Sequence, residues 1–428
     1  MREILRTGRT EPGAIAQHEP GGYPGDGRPL NRSPCAGRRK GFEARGALSR
    51  TRMVQPAKFQ ALQAEMEGHL FERHDELEGL LLAVLSRQHL LLVGPKGAAK
   101  SMMIRMLTSS IEGAKYFERL LTRFTLPDEL FGPVSISALK KDRFSRLTRG
   151  YLPEANFAFL DEIWKANSSI LNSLLTLINE RLFYNDGEVL QCPLETLMGA
   201  SAELPQEEAL SALYDRFLLR YQVKYIAEDG HLLEMMADAR PPVLKTRITL
   251  DEIHDARDAV AGVELDRPLL ESVAKIRRRL GAEGLTLSDR RYKESLTVVR
   301  AKAWLQGRTY AAEDDLAVLT NILWDDPANE PIVRGFVLDI ANPQEKRARE
   351  IGDALQVALK NLQGLEAERD RTMAAVEFLS KLRTAKAELQ SFRDRMKRRG
   401  AEISQIDFQI AETDRYEAQV KRDYLGSE

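Results

Sequence analysis

The feature that most constrains the fold is a junction at residue 93. A short apolar run, His89 to Val93, reads as a buried strand and passes directly into Gly94-Pro95-Lys96-Gly97-Ala98-Ala99-Lys100-Ser101. Apolar residues then recur at helical spacing, as Met102, Met103, Met106 and Leu107. Strand, glycine loop, helix is the context a phosphate-binding P-loop requires. Such a loop works because consecutive backbone N–H groups curl around phosphates at a helix N-terminus. Gly94 and Gly97 allow that path, with Pro95, Lys96, Ala98 and Ala99 completing it. Lys100 supplies positive charge to the terminal phosphates, and Ser101 offers a hydroxyl to Mg²⁺. The expected cofactors are therefore ATP and Mg²⁺. Ala99 stands where the general pattern has glycine, which is tolerable if that residue takes helical φ/ψ rather than positive φ.

A second buried strand, Phe157 to Leu160, ends in Asp161-Glu162. Downstream of a P-loop, this pair divides its work. Asp161 would hold the magnesium through its water shell, and Glu162 would polarise the attacking water as general base. Without the loop, the two acids would read as solvated residues at a strand end.

Around these two motifs, strands alternate with helices, which argues a parallel sheet covered on both faces. A third strand is expected at Glu195 to Ala200. Two helices precede the loop, broken at Phe71 to His74, and one is expected over Ile163 to Ile178. The fold class is α/β, with residues 53–226 as the nucleotide-binding core. Residues 227–343 read as an all-helical lid and linker, with no strand expected over 231–325. Residues 344–428 form a charged helical tail. Ala348, Ile351, Leu355, Ala358 and Leu362 recur at three-and-four spacing, as do Val376 and Leu379 and, after a phase slip, Leu382, Ala385 and Leu389. Arg369 and Thr372 fall on core positions of that seam. Gly400 after Lys397-Arg398-Arg399 is a helix stop, and a third helix runs on from Ile403. The tail reads as an antiparallel helical hairpin or coiled coil, its charges as solvated faces. Residues 1–52, rich in Gly, Pro and Arg, read as a disordered basic tail, or as untranslated sequence if Met53 is the start.

Bulk properties exclude several classes. The formal net charge of -1 gives no support to nucleic-acid or membrane binding. Two cysteines, Cys35 and Cys192, rule out a disulfide scaffold and suit a reducing cytoplasm, here taken as bacterial. No run approaches the roughly 18 apolar residues of a membrane span.

Further motifs carry a resemblance. Beside GPKGAAKS stand LPDELFGPVSISALK from Leu126, GYLPEA from Gly150, FLDEIWKA from Phe159, LNSLLTLINER from Leu171, ALYDRF from Ala212 and SDRR from Ser288. Over roughly residues 58–325 the chain resembles AAA+ ATPases of the MoxR group, most of all the RavA-like branch. The resemblance implies an AAA+ P-loop core with a helical lid, working as a ring, usually a hexamer, with nucleotide between subunits. It implies that Arg216 is an arginine finger reaching the neighbour's γ-phosphate, unless Arg216 simply pairs with Asp215. It implies that Arg290 is the lid arginine contacting phosphate from its own chain, with Arg291 as competitor. Asp142 to Leu152 resembles the group's extra hairpin and Asn185 to Pro193 a second insert, both aimed at the pore or client unless they are ordinary loops. It also implies a partner with a von Willebrand factor A domain.

Two departures matter. The position that normally carries a water-orienting Asn is Ala202, and Ser201 beside it points the other way along a strand. Losing such a group costs about two orders of magnitude in rate. The tail has no β-rich insertion of the kind found in the best-known RavA-like proteins. The leading expectation is a chaperone-like motor that remodels or activates a protein client. The alternative is an ATP-binding scaffold with weak hydrolysis, and a nucleic-acid motor ranks below both.

Overall fold

The computed structural model describes residues 55–425, except 206–209, 238–241, 365–367 and 400–402. The expectations for residues 1–52 and for the helix stop at Gly400 lie outside the described residues.

Two helices open the described chain, α1 (Pro56–Glu67) and α2 (His74–Ser86), with the expected break between them. They lead into β1 (His89–Val93) and α3 (Lys100–Ser109). Next come β2 (Ile111–Glu112), β3 (Tyr116–Leu120), the short helices α4 (Pro127–Phe131) and α5 (Ile136–Leu139), and β4 (Phe157–Asp161). Then follow α6 (Ser168–Glu180), the hairpin of β5 (Leu182–Asn185) and β6 (Glu188–Gln191), β7 (Thr196–Ser201), α7 (Ser211–Tyr214) and β8 (Phe217–Gln222). The helix expected from Ile163 begins later: Ile163–Lys165 is a 3-10 turn, and Asn167 caps α6 by accepting from the Ile170 N–H at 3.0 Å.

Five strands form one parallel sheet in the order β3-β4-β7-β1-β8. β1, β4 and β7 are buried along almost their whole length, so they read as unbroken apolar runs. One apolar cluster joins β1 to the lid through Leu90 and Leu92, and another packs Leu91, Leu160 and Leu197 against α6. Alternate residues of β1 thus face opposite layers, as the two-residue period of a strand demands.

After the core come α8 (Asp229–Ala237), β9 (Ile248–Thr249), α9 (Leu250–Ala261), α10 (Arg267–Ala282), α11 (Asp289–Leu305) and α12 (Glu330–Ala341). The lid is helical except for β9, a two-residue strand that pairs in parallel with β2. No strand was expected there; the pairing is too short to leave a periodic signal. Thr249 and Glu252 form a capping box that starts α9 immediately afterwards.

The tail consists of α13 (Pro343–Gln363), α14 (Glu368–Arg399) and α15 (Ser404–Leu425), all three packed on one another. Their shared core includes Leu355, Leu362, Phe378, Leu382, Leu389 and Ile410. Thr372 and Val376, both placed on the seam by spacing, are exposed; Ala375 and Phe378 take the buried face instead. A third helix on the hairpin shifts which stripe of α14 is covered. Arg415 of α15 forms an ion pair with Glu228, at the start of α8, so the tail touches the segment that leaves the core.

Candidate functional site

The parallel register sets the carboxyl ends of β4, β7 and β1 side by side. Asp161 lies opposite Ala200, and Val93 lies opposite Ser201. The loop from Gly94, the acids Asp161 and Glu162, and Ala202 therefore emerge together at one edge of the sheet, where parallel α/β sheets bind ligands.

The loop is held by its neighbours. Gly94 N donates to Ser201 O at 3.0 Å, and a Cβ at Gly94 would meet Val223 O at 2.1 Å. Only glycine allows β8 to run that close. Gly97 has φ +79° with open space around it, which leaves room for a ligand at the loop's apex. Ala99 takes φ 64°, ψ 14°. This corrects the expectation that Ala99 adopts helical angles: the left-handed conformation of the usual glycine is kept although alanine has a Cβ. The strain is about 1–2 kcal/mol. Left-handed residues at 97 and 99 turn successive N–H groups toward one concavity, which suits an anion.

Lys100 Nζ donates to Gly94 O and Pro95 O, each at 2.7 Å, so its charge lies inside the loop. Burial pushes its pKa down, against the opposing attraction of Asp161 and Glu162. Burial pushes the Asp161 carboxyl up; the hydrogen bond from the Glu162 N–H and the charge of Lys100 oppose the rise, while the Glu162 charge adds to it. A buried Lys100 and a half-buried Asp161, electrostatically linked beside a glycine nest and the Ser101 hydroxyl, make a donor set that fits a triphosphate with magnesium. Ser101 and Asp161 would be the protein's side of the metal.

Glu162 sits at φ 52°, ψ 44°, just past β4, and is buried. Its N–H donates to Asp161 Oδ1 at 2.9 Å, and its carboxylate pairs with Lys165 Nζ at 3.1 Å. The sequence reading missed Lys165, although its spacing of three from Glu162 is the signal of a local ion pair. It also missed Tyr225, whose hydroxyl donates to Lys96 O at 3.0 Å; nothing local marks that contact. Ser201 Oγ accepts from Glu203 N at 3.2 Å, so the hydroxyl beside Ala202 is engaged in a turn.

Two expected site residues stand elsewhere. Arg216 precedes β8, whose first residue Phe217 lies opposite His89 at the start of β1. Five residues of strand, about 16 Å, separate that edge from Gly94. Arg216 Nε is buried without a hydrogen-bond partner, and among the described residues Arg216 has no ion pair. Its expected competitor partner, Asp215, faces Arg291 instead. Arg291 is buried: Nε donates to Ile322 O at 2.9 Å and Nη2 to Phe217 O at 3.1 Å. Those bonds make Arg291 a structural pin and remove it as a phosphate ligand. Arg290 remains at the surface, bonded to Glu294 at 2.6 Å. Because Arg291 pins α11 to the Asp215–Phe217 corner, Arg290 lies at the same far edge as Arg216. The expectation that Arg290 contacts phosphate from its own chain is therefore corrected by the placement of the lid.

The two inserts meet. Asp142 to Leu152 is not a hairpin; it returns from α5 as a loop joined to Val134 by a bridge at Arg146. The hairpin is β5–β6, turning at Asp186-Gly187, both at positive φ. Arg146 N donates to Asn185 Oδ1 at 2.7 Å, and Arg143 Nε to Asp186 Oδ2 at 2.6 Å.

Comparison with known proteins agrees with this architecture. Residues 57–257 match the model of the MoxR domain in the MoxR-vWA-beta-propeller ternary systems, and residues 268–337 match an AAA lid domain. An uncharacterized protein of Methanocaldococcus jannaschii is 37% identical over 370 residues, spanning 84% of this chain and 96% of that protein. The chaperone MoxR1 of Mycobacterium tuberculosis is 23% identical over 363 residues, 78% of this chain and 91% of that one. The crystal structure of a candidate ATPase from Cytophaga hutchinsonii shares the fold, with a TM-score of 0.54 at 18% identity, covering 66% of this chain and 94% of that chain. The sheet order with its P-loop, the helical lid and these matches together place the chain in the MoxR group of AAA+ ATPases.

Proposed function

We propose that this protein hydrolyses ATP to drive the remodelling or activation of a protein client, as a ring whose sites are completed by neighbouring subunits. The observation that carries the reading is the edge of the sheet where the Gly94–Ser101 loop, Asp161, Glu162 and Ala202 converge. The loop and Lys100 hold the phosphates. Ser101 and Asp161 would hold magnesium, which would supply positive charge to the phosphates when bound. Glu162 takes a proton from the attacking water once its carboxylate leaves Lys165.

Arg216 and Arg290 stand at the opposite edge, too far to serve their own chain. A ring brings that edge against the next subunit's nucleotide, where both would stabilise charge in transition. A hexamer, the RavA-like branch, a cytoplasmic location and a partner with a von Willebrand factor A domain belong to the same proposal. The partner is supported by the matched domain's occurrence in MoxR-vWA systems. No described helix is long and apolar enough to cross a membrane. The family assignment favours this reading over a scaffold with little turnover.

The test is steady-state hydrolysis by the wild type and by Glu162→Gln. The variant should bind ATP with wild-type affinity and assemble in its presence, yet turn over at least about 10²-fold more slowly. Equal turnover in the two proteins would remove Glu162 from the mechanism.

A further inference from the structure

The joined inserts carry an unusual surface. Around their junction, Ile136, Leu139, Phe144, Leu147, Tyr184 and Val189 are each more than half exposed. Tyr184 and Val189 are cross-strand partners and lie on one face of the hairpin, while Phe183 on the other face stacks on Phe131. Apolar side chains gathered in this way mark an interaction surface rather than chance exposure.

The same surface is charged. Residues 140–149 hold Lys140, Lys141, Arg143, Arg146 and Arg149 against the single Asp142. Arg143 and Arg146 are consumed internally, by Asp186 and Asp128. Lys140, Lys141 and Arg149 are exposed, with no carboxylate in ion-pair range among the described residues. In a chain of net charge -1, this is a local positive field.

The junction is built to persist. Asn185 accepts from Arg146 N and donates to Arg146 O, at 2.7 and 3.1 Å, and Asp186 accepts from Phe144 N at 3.1 Å. Gly132, at φ +93°, lets the returning loop approach so closely that a Cβ would meet Leu147 O at 2.0 Å. The surface is also wired to the catalytic edge. The segment that leads into α4 and α5 leaves β3 beside the acids, with Leu121 N donating to Asp161 O at 2.8 Å.

We infer that this face binds acidic segments of polypeptide that carry aliphatic or aromatic side chains. Apolar partner residues cover the exposed patch, and partner carboxylates answer Lys140, Lys141 and Arg149. Nucleic acid fits less well. Four of the six exposed apolar residues are aliphatic, and single strands are held by stacking on aromatic rings. The inference rests on the proposed client-remodelling function and specifies the chemistry of the client.

The experiment uses the full chain with ATP and Glu162→Gln, so that bound peptide is not released by turnover. Fluorescence anisotropy follows a short labelled peptide alternating Glu with Leu and Phe, the same peptide with Lys for Glu, and a single-stranded DNA. The Glu peptide should bind saturably, weaken with salt, and lose about tenfold or more affinity in Lys140→Glu/Lys141→Glu/Arg149→Glu. A second variant, Phe144→Ser/Tyr184→Ser, should also weaken binding, and thermal melting checks that both variants are folded. Equal binding of the Lys peptide, or an unaffected charge-reversed protein, overturns the inference. So does DNA binding that is lost in the charge-reversed variant, which would make the face a nucleic-acid surface. ATPase activity of the wild type, measured in parallel, separates the two levels. Turnover without Glu-peptide binding refutes only the client chemistry, and absent turnover refutes the proposed function itself.

Discussion

Arg291 Nη1 lies 3.6 Å from Asp215 Oδ1, so the acid that precedes Arg216 in the chain is engaged by a lid arginine and not by Arg216. The pairing separates two adjacent arginines of the lid by role, and it leaves Arg216 available. Arg216→Ala should lower hydrolysis about 10³-fold or more while ATP affinity and melting temperature stay near wild type. Arg291→Ala should instead unfold early, by about 3 kcal/mol, because it strips donors from buried carbonyls of Phe217 and Ile322. Denaturant melts beside ATPase assays of both variants check the division. A stable but inactive Arg291→Ala protein would contradict it.

Ala99 offers a test of backbone strain. At φ 64° the residue pays the left-handed penalty that glycine lacks. Ala99→Gly relieves that strain but loosens the unfolded chain, so its stability should change by less than about 1 kcal/mol and ATP should still bind. Ala99→Val, with a branched Cβ, should destabilise the loop further and lose nucleotide affinity. Calorimetric ATP titration of the two variants shows whether the loop needs this conformation.

Ala202 is expected to affect rate rather than affinity. The residue follows β7 between the loop and the Asp161–Glu162 pair, and the neighbouring Ser201 hydroxyl is occupied by Glu203 N. Ala202→Asn should raise kcat by about 10²-fold and leave the Kd for ATP within a factor of a few. An unchanged kcat would mean that another group orients the water.

Glu76 predicts a pH dependence of stability. Burial in the first turn of α2 pushes its carboxyl up from 4.5 to about 7. The folded state then keeps the proton between those values while the unfolded chain releases it, so this group's contribution declines as pH rises from about 4.5 to 7 and is lowest above. Glu76→Gln removes the term. Its stability relative to wild type should rise across that window, by on the order of 3 kcal/mol at most. Urea melts of both proteins at pH 5 and pH 8 measure the difference, and a constant difference would refute it.

How legible the fold was depended on what each strand buries. β1 and β4 announced themselves because both faces are covered and their residues are apolar throughout. β3 is an edge strand, Tyr-Phe-Glu-Arg-Leu, with only Phe117 buried, and its polar residues hide it. β8 was missed because Arg220 sits in its middle, fully buried. That charge is tolerated only because the guanidinium donates to Tyr214 O, Phe217 O and Asp325 and lies 3.8 Å from the Tyr214 ring centre, all brought by distant or turning chain. Within the site, residue types were legible from spacing and chemistry. Ala99's φ, the Lys165 pairing and the edge on which Arg290 stands were not, because each is decided by how the lid and neighbouring strands pack.

The ion pair between Arg415 and Glu228 closes the polypeptide into a circuit. The chain leaves the core after β8, passes through the lid and the three tail helices, and returns to its own departure point. In an open chain, a lid hinges freely about one linker. In a closed circuit no joint turns alone, so lid rotation must either drag the tail or part the two charges. A half-exposed pair of this kind holds with only about 1 kcal/mol. The pair is thus weak enough to part while α13 stays packed on α12.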